Sequence, residues 1–89
     1  MLEPIYKKKF KQDIDRVKKR GKPLKKLQNI LSTLIHQRSL SIIHRDHPLR
    51  GEYTHCRECH IEADWLLIYF IEGNTITFLR TGTHADLFD

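Results

Sequence analysis

Apolar residues recur at helical intervals in the first part of this chain and at strand intervals in the last part. Tyr6, Phe10, Ile14 and Val17 are spaced four, four and three apart, one narrow stripe on a helix predicted from about Lys7 to Arg20. Gly21 suits the position just past the end of that helix, and Pro23 suits the first turn of the next. Leu24, Leu27, Ile30, Leu31, Leu34 and Ile35 give a wider stripe on a second helix, from about Leu24 to Gln37. The short connection makes the two a helical hairpin. Ile5 and Tyr6 either form a short edge strand or enter the first helix.

The segment from Ser39 to Arg50 is polar, holds Pro48 and ends at Gly51, which marks a connection. A loop of that length in so short a chain points to function. Three strand-like runs follow. The first spans about Tyr53 to Ile61, with a tight turn at Glu62-Ala63. The second, about Trp65 to Ile71, is an unbroken apolar run, as expected of a central strand buried on both faces. Glu72-Gly73-Asn74 is a hairpin turn. In the third run, about Thr75 to Thr81, alternation puts Ile76, Phe78 and Arg80 on one face. Residues His84 to Phe88 form at most one helical turn. Two helices followed by an antiparallel meander predict an α+β fold, a helical hairpin packed on a small antiparallel sheet. With 89 residues, no repeat and no low-complexity tract, the expectation is one domain over residues 1–89.

Charge sharpens this picture. The net charge is +5, and eleven of the 16 Lys and Arg lie between Lys7 and Lys26, where the acids are Asp13 and Asp15. From Arg50 onward, Arg50, Arg57 and Arg80 face seven acids. Such a basic end suits a polyanion or an acidic protein. Lys18, Lys19 and Lys22 are the residues expected to contact the phosphates of a nucleic acid from this end. No stretch approaches the roughly 18 to 20 apolar residues of a membrane span. Leu2-Glu3-Pro4-Ile5 runs at once into three lysines, unlike a secretory signal, so the expected location is the cytoplasm with reduced cysteines.

Cys56-Arg57-Glu58-Cys59-His60 has the spacing of a c-type haem attachment site. It lies inside a predicted strand and follows no export signal, which argues against haem. Zinc needs about four ligands, and the single Cys pair has no second pair. Three strand residues span about 10 Å, beyond the roughly 7 Å between Cα atoms that a disulfide tolerates. Two reduced sheet cysteines on opposite faces are expected. His47, His60 and His84 each lie near the end of a different segment, and alternation puts Glu58 with His60, one turn away from Asp64. Imidazoles titrate near neutral pH, so such a set provides a base and an acid without metal or cofactor. None of the histidines has the helical His-x-x-x-His spacing of a metal site.

The runs Asp46-His47-Pro48-Leu49-x-Gly51, Arg57-Glu58-x-His60-x-x-x-Asp64-Trp65-x-Leu67-Ile68-Tyr69 and Arg80-Thr81-Gly82-Thr83-His84-x-x-Leu87-Phe88 resemble the YafQ branch of the RelE/ParE toxin superfamily. The resemblance is specific over about residues 44 to 88 and architectural before that. It implies a RelE-like fold and a toxin of a type II toxin–antitoxin pair, a ribosome-dependent endoribonuclease acting on mRNA. It implies an antitoxin of the DinJ or RelB kind as partner, and operator DNA bound through the complex. The site residues it implies are His47, His60, Asp64, Trp65, His84 and Phe88, with His84 as proton donor. Trp65 and Phe88 are expected to position a base, and Arg80 to hold the phosphate. The family motif often has Asp where this chain has Glu58, so Glu58 is given a supporting role. A gyrase-poisoning toxin of the ParE kind and a non-catalytic nucleic-acid-binding module are the competing readings. The three histidines argue against the first, and the second would tolerate their loss.

Overall fold

The computed structural model describes residues 1–89. The chain opens with an edge strand β1 (Glu3–Tyr6) and turns directly into helix α1 (Lys8–Lys19), then α2 (Leu24–Ile35). A short 3-10 turn (Ile42–His44) precedes β2 (His47–Pro48), and a second (Gly51–Tyr53) precedes β3 (Arg57–Glu62). The meander continues through β4 (Trp65–Glu72) and β5 (Thr75–Gly82), and α3 (His84–Phe88) closes the chain. The sheet order is β1-β5-β4-β3-β2, antiparallel except that β1 runs parallel to β5. No helix is long and apolar enough to cross a membrane.

Helix α1 ends as its sequence dictates. Gly21 takes φ +77°, its N–H donates to the Lys18 carbonyl, and that of Lys22 donates to the Val17 carbonyl. These paired bonds satisfy the last carbonyls of α1. The same pattern ends α2 with Gln37 at φ 58°: its N–H reaches the Leu34 carbonyl and that of Arg38 reaches Thr33. The helix therefore stops at Ile35, two residues before its predicted end. The first strand of the meander is also shorter than predicted. Tyr53 belongs to a 3-10 turn because Thr54 and Cys56 donate their backbone N–H groups to the carbonyls of Gly51 and Tyr53.

Phe10, Val17, Leu27, Ile30 and Leu34 pack one face of the sheet through Cys59, Ile61, Trp65, Leu67, Tyr69, Ile76 and Phe78. The buried stripe of α1 is Phe10, Asp13 and Val17, with Ile14 half-buried against the same core, so a carboxylate joins the stripe that periodicity predicts. The opposite face of the sheet buries Cys56, Leu66 and Ile68 under Leu87 of α3. The apolar run of β4 is explained by this double cover. The two cysteines lie on opposite faces, both reduced, as alternation predicts.

One irregularity changes the reading of β5. Ile68 pairs with Arg80 while Tyr69 pairs with Phe78, so Leu79 is an extra residue in the ladder. A bulge breaks the alternation of side chains beyond it. Phe78 thus joins the helix-side core and Leu79 the other cluster, while Arg80 lies opposite Ile68 rather than on the face of Ile76 and Phe78.

Candidate active site

Strand register sets the first three site residues. His47 of β2 pairs with Glu58 of β3, which pairs in turn with Ile68 of β4, and His60 pairs with Leu66. Directly paired residues share a face. His47, Glu58 and His60 therefore stand on the sheet face turned away from α1 and α2. The Glu58 carboxylate is buried (5% exposed) between the two imidazoles, with Oε1 3.4 Å from His47 Nε2 and 3.6 Å from His60 Nε2.

The loop carrying His47 is tied down from both sides. Asp46 accepts hydrogen bonds from the Tyr69 hydroxyl (2.8 and 2.9 Å) and from Arg57 Nε (3.2 Å). Burial, then the Asp46 carboxylate, pushes the Tyr69 hydroxyl well above its ordinary pKa. Leu49 N–H donates to the Cys56 carbonyl, and His44 Nδ1 lies 2.7 Å from the His60 carbonyl. His47 Nδ1 lies 2.6 Å from the Arg45 carbonyl. A carbonyl only accepts, so Nδ1 carries the hydrogen and Nε2 is the free basic nitrogen. His60 has the same orientation more weakly, with Nδ1 3.3 Å from the Ala63 carbonyl.

The third imidazole arrives on α3. Thr83 caps this helix: its hydroxyl accepts from Asp86 N–H (3.1 Å), and its own N–H donates to Asp86 Oδ2 (3.0 Å). Asp86 also takes both arms of Arg20 from the end of α1, at 2.5 and 2.9 Å. Arg20 above all, and the Thr83 N–H, hold the Asp86 carboxyl well below the usual carboxylate range. His84 follows the cap. Its backbone N–H (2.9 Å) and its Nδ1 (2.6 Å) both meet Asp64 Oδ1 in the turn between β3 and β4. These two bonds depress the Asp64 pKa, the backbone one most. Asp64 and His84 are both exposed, so the pair orients the ring more than it stabilises the fold.

The three imidazoles then form a row. His60 lies 6.3 Å from His47 and 6.0 Å from His84, centroid to centroid. Phe88 continues it, 6.4 Å from His84 and edge-on to Tyr53 at 5.9 Å. Phe88 is 46% exposed, an open aromatic surface at the end of the row. No group of three or more His, Cys, Asp or Glu side chains is gathered closely enough to hold a metal ion.

Several expected residues lie elsewhere. Trp65 is 1% exposed in the helix-side core and donates its indole N–H to Thr81 Oγ1, so it cannot stack on a base; it acts as core. Arg80 presents Nε and Nη2 to the buried Asp13 at 2.7 and 3.1 Å, so its two-pronged face is not open to a phosphate. Asp13 also accepts the Thr81 N–H, which explains why a carboxylate sits in the α1 stripe. Lys22, with Lys26, is paired with Glu62, while Lys18 and Lys19 are exposed and unpaired. Glu58 emerges as the carboxylate shared by two histidines. The signal for the Asp86 cap was present in the sequence as Thr83-x-x-Asp86, the spacing of a capping box. Asp46 and Asp13 gave no such local signal, because their partners are 23 and 67 residues away.

A family model described as the bacterial toxin of type II toxin–antitoxin system, YafQ, matches residues 2–89. The mRNA interferase toxin YafQ of Escherichia coli strain K12 is 38% identical over 84 residues, covering 93% of this chain and 91% of that protein. The crystal structure of YafQ from E. coli strain BL21(DE3) superposes with a TM-score of 0.95 at 34% identity, covering 100% of both chains. A chain of the E. coli DinJ–YafQ complex superposes with a TM-score of 0.92 at 36% identity, again over 100% of both. Two long helices and a short third on a five-strand sheet of this topology, a row of three histidines backed by carboxylates, and similarity along nearly the whole chain place this protein in the YafQ family of bacterial type II toxin–antitoxin toxins.

Proposed function

We propose that this chain is a ribosome-dependent endoribonuclease that cuts mRNA by metal-independent histidine acid–base chemistry. The observation carrying the proposal is the row His47–His60–His84, in which Nδ1 of each outer ring donates, to the Arg45 carbonyl or to Asp64, leaving Nε2 for proton transfer, that of His47 beside the Glu58 carboxylate. The nucleophile is the substrate's own 2′-hydroxyl. His47 Nε2 takes its proton as O2′ bonds to phosphorus. The bond from phosphorus to O5′ breaks, and His84, protonated at Nε2, gives its proton to O5′. The products are a 2′,3′-cyclic phosphate, opened by water to a 3′-phosphate, and a 5′-hydroxyl. Asp64 orients the acid and balances its charge. Glu58 provides a counter-charge when His47 becomes a cation, and His60 lies between acid and base, facing the phosphorane. Each proton transfer contributes about 10² to 10⁴ in rate, and alignment and charge stabilisation supply the rest. Phe88 offers a stacking face to a base, and Lys18 and Lys19 give ribosomal RNA phosphates a sequence-blind contact.

The implied partners are the ribosome with its mRNA and a DinJ-like antitoxin. Operator DNA is bound through the antitoxin complex, and the work is done in the cytoplasm. The test is single-turnover cleavage of ribosome-bound mRNA, in excess EDTA, by wild type, His84→Ala, His84→Gln and His47→Ala. Wild type should cut in the chelator, and each variant should lose at least about 10² in rate while still binding ribosomes. Cleavage at near wild-type rate by His84→Ala removes His84 as the acid. Loss of activity in EDTA with recovery on adding zinc or magnesium overturns the metal-free reaction.

A further inference from the structure

The proposed chemistry uses the row of histidines and leaves a second concave feature unassigned. β1 ends at Tyr6, paired with Phe78, and the chain turns away from β5 into α1. Beyond that point β5 has no strand on that side, and Asp13 of α1 meets Arg80 and Thr81 instead. A cleft of about 380 Å³ opens there, lined by Lys7, Lys8 and Lys9 together with Tyr53, Leu79 and Arg80. That volume is in the range of pockets that hold small ligands.

Four of the six lining residues are cations and none is an acid. Asp13 holds Arg80 by Nε and Nη2, and Nη1 is not part of that pairing. The three lysines form no ion pair, whereas Lys22 and Lys26 are both engaged by Glu62. Their placement also works against the helix. Lys8 and Lys9 stand in the first turn of α1, where no acid is present, and there the macrodipole disfavours positive charge. The bulge at Leu79 brings Leu79 and Arg80 together beside this opening. Tyr53 forms part of the wall, and its ring meets Phe88 edge-on at 5.9 Å, with Phe88 6.4 Å from His84. The cleft is thus joined to the general acid by two aromatic rings in contact.

We propose that this cleft is a second RNA subsite, resting on the endoribonuclease reading above. In it, Lys7, Lys8 and Lys9, with Nη1 of Arg80 beside them, hold a backbone phosphate of the mRNA that flanks the scissile one, and the strand passes Tyr53 to reach the stacking face of Phe88. Lysines act as point charges on phosphate and read no base, so the subsite contributes binding and register rather than sequence choice. Its occupant is the substrate strand, because the aromatic contact runs unbroken from the cleft to His84.

The test combines a Lys7→Gln/Lys8→Gln/Lys9→Gln variant with mRNAs carrying one neutral methylphosphonate linkage, moved stepwise along either side of the cut. None of these lysines belongs to the catalytic set, and circular dichroism checks the fold. Cleavage is measured on ribosomes, and binding of the same RNAs to the free protein by fluorescence anisotropy. In wild type, one flanking linkage should lower kcat/KM about tenfold when neutralised, and the triple variant should be about tenfold slower on unmodified mRNA and indifferent to that linkage. The rate at saturating toxin should be unchanged. Equal linkage sensitivity in variant and wild type overturns the subsite. So does a uniform loss of ribosome affinity with no linkage dependence, which assigns the lysines to ribosomal RNA. Absence of any cleavage by wild type defeats the endoribonuclease reading instead, and the anisotropy series then still decides whether these lysines hold an RNA phosphate.

Discussion

A Cβ placed on Gly82 would stand 2.8 Å from Oδ2 of Asp86. Gly82 is the last residue of β5, with φ +155°, and the Asp86 carboxylate against it both caps α3 and receives Arg20. The missing side chain lets the helix carrying His84 sit tightly on the end of the sheet. Gly82→Ala must displace that carboxylate. The expected result is a loss of about 1–3 kcal/mol in stability, with a fall in cleavage larger than the loss of ribosome binding. Urea denaturation and single-turnover cleavage check the two parts, and wild-type values in both would mean the contact is slack.

Asp86 also predicts a pH dependence. Its folded-state pKa lies below the unfolded value, chiefly through Arg20. Its contribution to stability is therefore complete above the unfolded value, near pH 4, and is lost as pH falls toward the folded value. Asp86→Asn should cost about 1–2 kcal/mol at pH 7 and progressively less below about pH 4. Urea melts across that range, with variant and wild type converging at the acid end, are the expected observation.

The hydrogen bonds from Tyr69 to Asp46 hold the residue next to His47. Tyr69→Phe leaves Asp46 with Arg57 alone and should cost about 1–2 kcal/mol. Because His47, the proposed general base, rides on that loop, cleavage should fall by more than the binding of mRNA-programmed ribosomes does. Equal small losses in both would make the bond purely structural.

Gln37 ends α2 in the left-handed region, at φ 58°. A side chain there costs roughly 1 kcal/mol that glycine avoids, although glycine gives back part of it through unfolded-state entropy. Gln37→Gly should raise stability by about 0.5 kcal/mol without changing activity. A drop in melting temperature would refute this.

Cys59 is fully buried, and burial, then the Asp46 and Glu58 carboxylates, pushes its thiol up to about 12. Only the thiolate is a good nucleophile. In native protein at pH 8, iodoacetamide should leave Cys59 unmodified, and in urea it should modify both cysteines. Mass spectrometry of the quenched reaction distinguishes the two states.

Much of this molecule was legible because the relevant signals are local. Stripes of period 3.6, the Gly21 stop, the turn at Gly73 and the apolar run of β4 depend only on neighbours in the chain, and they define two helices and a meander. The histidines were legible as a candidate set, since three imidazoles near segment ends can converge, and the structure sets them in a row His47, His60, His84 with neighbouring rings 6.3 and 6.0 Å apart. What alternation could not foresee is an insertion within the ladder. Leu79 bulges out of β5, and the parity that put Arg80 with Phe78 fails beyond it. Nor does the chain announce which distant element will meet a given charge. Asp13 and Arg80 find each other because β1 stops short and leaves the flank of β5 open to α1. Glu58 came between His47 and His60 through the pairing of β2 with β3, a register set by long-range packing. Trp65 was drawn into the core because its strand is covered on both faces, so burial claimed a ring that the family resemblance had offered to substrate. Residue type and spacing determined the elements and the kind of chemistry. The tertiary fold decided which charged and aromatic groups remain free to perform it, because desolvation and pairing depend on neighbours the chain supplies only when folded.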